Sequence, residues 1–245
     1  GQGGFAPYFV ADEDWVHPLP PGVSYEEGAL IEPLSVALHA AQKAHLQPGH
    51  TVAIFGAGAV GLLILLLTRL SGVVEVFVAD VHEFRLKKAE ALGASGVIHN
   101  RKEDAVEKIM DFTSRLGVDR AFEVVGLEST LVQSLQVLKK GGSAVVVGIF
   151  EEPQARIPAN IFIQREISLL GSQGYCRDFQ TAIKLVDKGL VNLKEVMTHV
   201  LPLSSLREAY QTVVIVEYDD GVFSALEGDD RDVIVAVGEA LRDLA

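Results

Sequence analysis

One cysteine, one tryptophan and two methionines occur among 245 residues, and the longest fully apolar run is only Leu62 to Leu67. Each scarcity excludes something. Cys176 alone leaves no internal disulfide, as expected for a reducing compartment, and a cytoplasmic location is predicted. The apolar run is far too short to span a bilayer. The opening Gly1-Gln-Gly-Gly has no basic segment followed by an apolar one, so no secretory signal is predicted. Positive charge is scarce as well: 21 Lys and Arg face 33 Asp and Glu, a net charge of −12. Without a basic stripe to neutralise phosphates, neither nucleic acid nor an anionic membrane is an expected partner. Internal repeats and low-complexity linkers are absent too.

What is present is 49% hydrophobic residues, enough for one large core or for one domain plus part of another. The most informative stretch is Thr51-Val-Ala-Ile-Phe-Gly56-Ala-Gly58-Ala-Val60-Gly61. The spacing G-x-G-x-x-G is weak by itself. Here it joins a short apolar strand to an apolar helix, and a second strand, Val74 to Ala79, ends on Asp80. That context predicts a dinucleotide site. Gly56 permits a tight turn, Gly58 lets backbone approach a diphosphate, and Gly61 allows the helix to lie close on the sheet. The helix N-terminus, near Val60, offers amides and a partial positive charge.

Asp80 bears on which dinucleotide binds. Its carboxylate can accept both hydroxyls of the adenosine ribose, whereas a 2′-phosphate would meet like charge, about 4 kcal/mol at ~4 Å with an effective dielectric near 20. Neither Val81 nor His82 offsets it, and Arg85 is expected along the adenine. NAD is therefore predicted over NADP.

Strand patterns at 51–55, 74–79, 96–98, 119–125, 143–149 and 167–171 alternate with helix patterns at 58–71, 83–92, 103–116, 129–139 and 159–165. The alternation predicts an α/β fold, a doubly wound parallel sheet of the Rossmann type. Leu92-Gly93 and Lys139-Lys-Gly-Gly142 read as helix stops. Earlier, Gly3 to Val10 reads as a strand, and Ser24 with Glu27 as a capping box. Patterns at 177–188, 198–201 and 204–214 no longer alternate regularly.

Read together, these residues resemble the zinc-dependent medium-chain dehydrogenase family, in its sorbitol and 2,3-butanediol dehydrogenase branch. The resemblance rests on Gly3-Gly-Phe-Ala, Glu32-Pro-Leu-Ser-Val-Ala-Leu-His39, Gly56 to Gly61, Asp80 with Arg85-Leu, and Ala121-Phe-Glu-Val-Val125-Gly126. Gly141-Gly142, Val147-Gly148-Ile149-Phe-Glu-Glu152 and Thr198-His199 complete it, covering roughly residues 1 to 215. It implies hydride transfer between an alcohol carbon and NAD, with zinc polarising the alcohol oxygen. It also implies domains: residues 1–40 as the end of a GroES-like catalytic domain, 41–175 as the NAD-binding domain, and 176–216 as a return segment. Residues 217–245 match nothing in the family and form an atypical extension. A homo-oligomer, dimer or tetramer, is the expected assembly.

The family's zinc-binding cysteine and Gly-His-Glu motif do not occur here, which implies a fragment or a truncated relative holding little zinc. Glu32 is then the candidate catalytic carboxylate and partial metal ligand, facing zinc directly or through its water. A carboxylate favoured by a helix N-terminus is the alternative. His39 reads as a core histidine bonded to backbone, and His17 and His199 as structural. Glu123 is either a sheet-edge carboxylate or a support for the nicotinamide site.

By the same resemblance, Val125, Gly126, Val147, Gly148 and Ile149 end strands beside the nicotinamide, and Ser172 and Gln173 lie where the family closes over its ribose. Gly174 stands where polyol-specific relatives carry arginine, removing five donors; with Glu151-Glu152, it favours a small diol or secondary alcohol over a hexitol. Tyr175 is a candidate substrate contact or an aromatic packed at a domain junction. The competing function is a module that holds NAD and catalyses nothing. Short-chain dehydrogenases are disfavoured because no tyrosine has lysine four residues later. Methyltransferases are disfavoured because Ile54-Phe55 stands where they carry an acidic residue.

Overall fold

The computed structural model of the chain describes residues 10–205, 207 and 209, and the pair 234–235. All but Val10 of the expected strand from Gly3 to Val10, the short apolar strand expected at Val213 to Val216 and nearly all of 217–245 lie outside the described residues. The chain divides into two compact units. One is Pro33–Asp178; the other joins Gly1–Glu32 to Phe179–Ala245.

Unit Pro33–Asp178 holds a six-stranded parallel sheet of β1 (Thr51–Phe55), β2 (Glu75–Asp80), β3 (Gly96–His99), β4 (Val118–Glu123), β5 (Leu138–Val146) and β6 (Ser168–Gly171). Their spatial order is β3-β2-β1-β4-β5-β6. It reverses between β1 and β4, the switch point at which open α/β sheets place their ligands. Crossovers run through α3 (Ala59–Leu70), α4 (Glu83–Ala91), α5 (Ala105–Phe112), α6 (Glu128–Gln136) and α7 (Asn160–Arg165). Most of α2 (Ile31–Lys43) precedes the sheet in this unit, and α1 (Tyr25–Ala29) and α8 (Phe179–Asp187) belong to the other.

The apolar run explains α3: Leu62, Leu63, Ile64, Leu65 and Leu67 are all buried, each contributing about 1.5–3 kcal/mol on transfer from water. One face of the sheet carries Ala53, Phe55, Phe77, Ala79 and Ile98 against Ile109 and Leu135. Among the described residues no helix is long and apolar enough to cross a membrane.

The capping box forms as expected: the Ser24 hydroxyl accepts the Glu27 N–H at 3.2 Å, and the Glu27 carboxylate accepts the Ser24 N–H at 3.0 Å. Other boundaries differ. Helix α6 ends at Gln136, and Lys139 to Gly142 lie within β5 rather than stopping a helix. Val118 pairs with Leu138 but Arg120 with Ser143, so these residues form an irregularity in the ladder. Gly141 at φ +78° and an ion pair from Lys139 to Asp119 hold it in place. In the other unit, His199–Val200 and Ile234–Val235 form a two-stranded parallel pair. The spacing of 233, 234, 237, 241 and 244 predicts helix there; at 234–235 two adjacent β-branched residues favour the strand.

Candidate cofactor site

The glycine turn leaves β1 at Gly56, whose φ of +104° suits glycine and whose N–H donates to the Ala79 carbonyl at 2.8 Å. A Cβ on Gly56 would come within 2.9 Å of Val125 Cγ2 and 3.1 Å of the Val124 carbonyl, so the turn is pressed against the end of β4. A Cβ on Gly61 would overlap the Gly56 carbonyl oxygen; the first turn of α3 lies directly on the loop. Gly58 differs. It caps α3 with no side-chain bond, and a Cβ there would meet nothing within 4 Å. Close packing thus requires two of the glycines. The third borders open space at the helix N-terminus, beside Val60, where first-turn amides have no intrahelical acceptor. That arrangement fits a diphosphate.

Asp80, at the end of β2, is only 7% exposed. Its Oδ2 accepts the Ala57 N–H at 2.7 Å and its Oδ1 the His82 N–H at 2.9 Å. Each carboxylate oxygen has a further lone pair, so this anchoring leaves acceptor capacity for ribose hydroxyls. Arg85 lies closer than expected: its Nη1 is 3.8 Å from Asp80 Oδ2, and its guanidinium stands 5.8 Å from the Phe84 ring centre. Val81 and His82 supply no cation beside Asp80, while Arg85, expected along the adenine, comes within 3.8 Å of it. One turn of α4 brings Arg85 back over the strand end.

The other half of the site is built at the ends of β4, β5 and β6. Glu123 ends β4 fully buried. Its Oε1 accepts the N–H of Val125 at 3.0 Å, that of Gly126 at 2.8 Å and the Thr130 hydroxyl at 2.7 Å. Its main-chain carbonyl accepts Val147 N–H at 2.8 Å and Gly148 N–H at 3.1 Å. Val125 and Ile149 expose apolar side chains, 43% and 91%, and Ser172 N–H donates to Val146 at 2.8 Å. The Ser172 hydroxyl and Glu123 Oε2 are buried without a hydrogen-bond partner. Gln173 follows on the exposed loop after β6. All thirteen candidate cofactor residues therefore sit at or just beyond carboxyl ends of strands in one unit. Sequence reasoning left Glu123 open between two roles; the Thr130 hydroxyl seven residues on was the available signal for a local buried cap.

The substrate and metal candidates are less gathered. Glu32 opens α2 with an exposed residue surface, and partial burial still raises its carboxyl pKa. The exposure limits that shift. Among the described residues no three His, Cys, Asp or Glu side chains converge as metal ligands. Glu32 alone does not form a zinc centre. Tyr175 is 39% exposed on the loop after β6. His39 bonds a carboxylate, not backbone: its Nδ1 is 3.0 Å from Asp178 Oδ2, which also accepts the Cys176 N–H at 2.8 Å. His17 stacks on Phe179 with ring centres 5.2 Å apart, and His199 Nδ1 is 2.9 Å from Thr198 Oγ1. A groove of about 540 Å³ runs between His39, Gln42, Lys43 and His45 of the α2 region and Leu169–Gly171 of β6. It contains none of the candidate cofactor residues.

Comparison with known proteins shows what the chain is similar to. A family model described as zinc-binding dehydrogenase matches residues 59–188. The sorbitol dehydrogenase of Bacillus subtilis (strain 168) is 36% identical over 212 residues, 86% of this chain and 60% of that protein. The crystal structure of 2R,3R-butanediol dehydrogenase from Bacillus subtilis aligns with a TM-score of 0.75 at 33% identity, covering 81% of this chain and 57% of that one. A putative zinc-binding dehydrogenase from Sinorhizobium meliloti 1021 bound to NADP aligns at 0.81 and 27% identity, covering 91% and 64%. The chain spans about three fifths of the length of the curated relatives it matches.

Proposed function

This chain belongs to the zinc-binding dehydrogenase family, in its sorbitol and butanediol dehydrogenase branch, and on that premise we propose that the intact protein transfers hydride between a small secondary alcohol or diol and NAD. NAD supplies the hydride acceptor when bound. The residues of this chain bind and orient it. Amides of the Gly56–Gly61 turn receive the diphosphate, Asp80 the adenosine ribose hydroxyls, and Arg85 flanks the adenine. Val125, Gly126 and Val147 to Ile149 border the nicotinamide, while Ser172 and Gln173 close over its ribose. Tyr175 faces the substrate, and Glu32 serves as one ligand of a zinc site; among the described residues no group of three ligands converges.

In this reading residues 41–175 are the NAD-binding domain, 1–40 and 176–216 parts of a GroES-like catalytic domain, and 217–245 an extension. The protein acts in the cytoplasm as a dimer or tetramer. One observation carries the proposal: the buried Asp80 carboxylate lies against the glycine turn, bonded to Ala57 N–H at 2.7 Å. Isothermal titration with NAD, NADP and S-adenosylmethionine, followed by an alcohol oxidation assay with added zinc, tests it. Binding of S-adenosylmethionine in place of a nicotinamide dinucleotide would overturn it. The lack of three converging ligands among the described residues supports a second reading, an NAD-holding module without catalysis. NAD binding with no alcohol oxidation at any zinc concentration would favour that second reading.

A further inference from the structure

We propose that Glu123 is the positioning residue of the nicotinamide half of the site, a role that rests on the cofactor reading above. A fully buried carboxylate is costly unless donors satisfy it. Here three donors converge on Oε1, two of them amides of Val125 and Gly126 in the loop beyond β4. The same residue's carbonyl takes the Val147 and Gly148 amides beyond β5. One residue thus fastens both loops that border the nicotinamide.

The two loops interlock with no room to spare. A Cβ on Gly148 would overlap the Gly126 nitrogen and lie 2.7 Å from Glu123 Oε2, while a Cβ on Gly126 would overlap the Ile149 carbonyl. Oε2 is itself without a partner. The carboxylate is therefore held from one side only, and the loops keep their spacing because Oε1 keeps all three donors. Misplacing either loop shifts the groups around the nicotinamide first, since neither the first-turn amides of α3 nor Asp80 bonds to Glu123.

The test uses Glu123→Gln, which keeps the shape, weakens each bond to Oε1 by removing charge and puts an amide donor where Oε2 has no acceptor. Titrations compare NAD with ADP, which has the adenosine and the diphosphate but no nicotinamide riboside. The expected result is an NAD Kd raised about tenfold, the ~1.4 kcal/mol cost of re-ordering a loosened Val125–Gly126 loop on binding. The ADP Kd stays within about twofold, and hydrogen exchange at Val125 and Gly126 quickens. Thr130→Val removes one donor from the cluster, gives a smaller NAD effect and keeps the test alive if the Gln variant does not fold. Thr130→Ser, which retains the hydroxyl, restores wild-type binding. Equal shifts for NAD and ADP, or no shift for either, would overturn the role. Wild-type protein that binds neither ligand would overturn the cofactor reading itself.

Discussion

The Asp80 carboxylate reaches from the end of β2 to the Ala57 amide, 2.7 Å away, and so joins the acidic strand end to the glycine turn inside the core. The Ala57 amide is anchored by a residue 23 positions downstream. Removing it acts on fold and ligand together. Asp80→Ala leaves the Ala57 and His82 amides without this acceptor and removes the acceptor for the ribose. With each hydrogen bond to a charged group contributing about 1.5–3 kcal/mol, the NAD Kd should rise roughly 10- to 100-fold. Calorimetry measures it, with thermal melts alongside. An unchanged Kd would dissociate Asp80 from the ribose.

Besides flanking the adenine, Arg85 is predicted to temper the discrimination against NADP. Its guanidinium, 3.8 Å from Asp80, lies where it can offset the repulsion that a 2′-phosphate would meet. Arg85→Ala removes that offset, so the preference for NAD over NADP should widen by about tenfold, a ~1.4 kcal/mol change well within the ~4 kcal/mol of a carboxylate–phosphate pair at this range. Asp80→Ser should narrow it. The ratio of the two dissociation constants is the readout. Narrowing on loss of Arg85 would show that the arginine does not face the 2′ position.

Local chemistry made part of this legible. The Ser24–Glu27 box depends on residues three positions apart and forms as the spacing predicts, and the glycine turn joins β1 to α3 where the strand–turn–helix pattern places it. Longer reach defeated the pattern. Lys139 to Gly142 carry the signature of a helix end, and a contact to Asp119, twenty residues earlier, turns them into an irregular strand start. Helix α5 covers Ala105–Phe112 instead of 103–116 because Asp104 caps it, accepting from Val106 and Glu107, and because Ser114 and Arg115 adopt left-handed backbone. His39 finds Asp178 across 139 positions, which periodicity does not register. In the candidate site the glycine turn was readable from the sequence, whereas the bond from the Glu123 carbonyl to the Val147 and Gly148 amides needed the sheet to bring β4 beside β5.

Acid should destabilise the protein in a window set by His50. Burial first, then the positive charges of Arg120 and Lys139, lower its pKa from the ordinary 6.5, with Asp119 opposing them. Its Nδ1 also accepts the Gln47 N–H at 3.3 Å, which protonation at that nitrogen would forbid. The folded state thus binds a proton less readily than the unfolded chain. This contribution is complete above about pH 6.5 and is lost as pH falls towards the folded-state value. At lower pH Asp119 adds a second loss. Burial opposes its ionisation, but Lys139 and the Thr51 amide outweigh that and hold its pKa below 3.8. Thermal melts from pH 8 to 5 should show the decline, shallower in His50→Gln. Identical slopes in both proteins would exclude His50 as the source.

Gly61→Ala separates packing from ligand binding. Its Cβ would overlap the Gly56 carbonyl, so the first turn of α3 has to move off the loop. Overpacking of this kind costs about 1–3 kcal/mol, and backbone cannot yield as a flexible side chain would. The melting temperature should fall by several degrees, roughly 2–4 °C per kcal/mol for a chain of this size. NAD binding should fall with it, because displaced α3 amides no longer converge on the diphosphate. Gly58→Ala makes the opposite comparison. Its Cβ meets no protein atom within 4 Å, and its φ of −67° suits alanine, so the fold should keep its melting temperature. NAD should bind more weakly nonetheless, since the methyl group would enter the space assigned to the diphosphate. If Gly58→Ala binds NAD as wild type does, the diphosphate does not approach this turn.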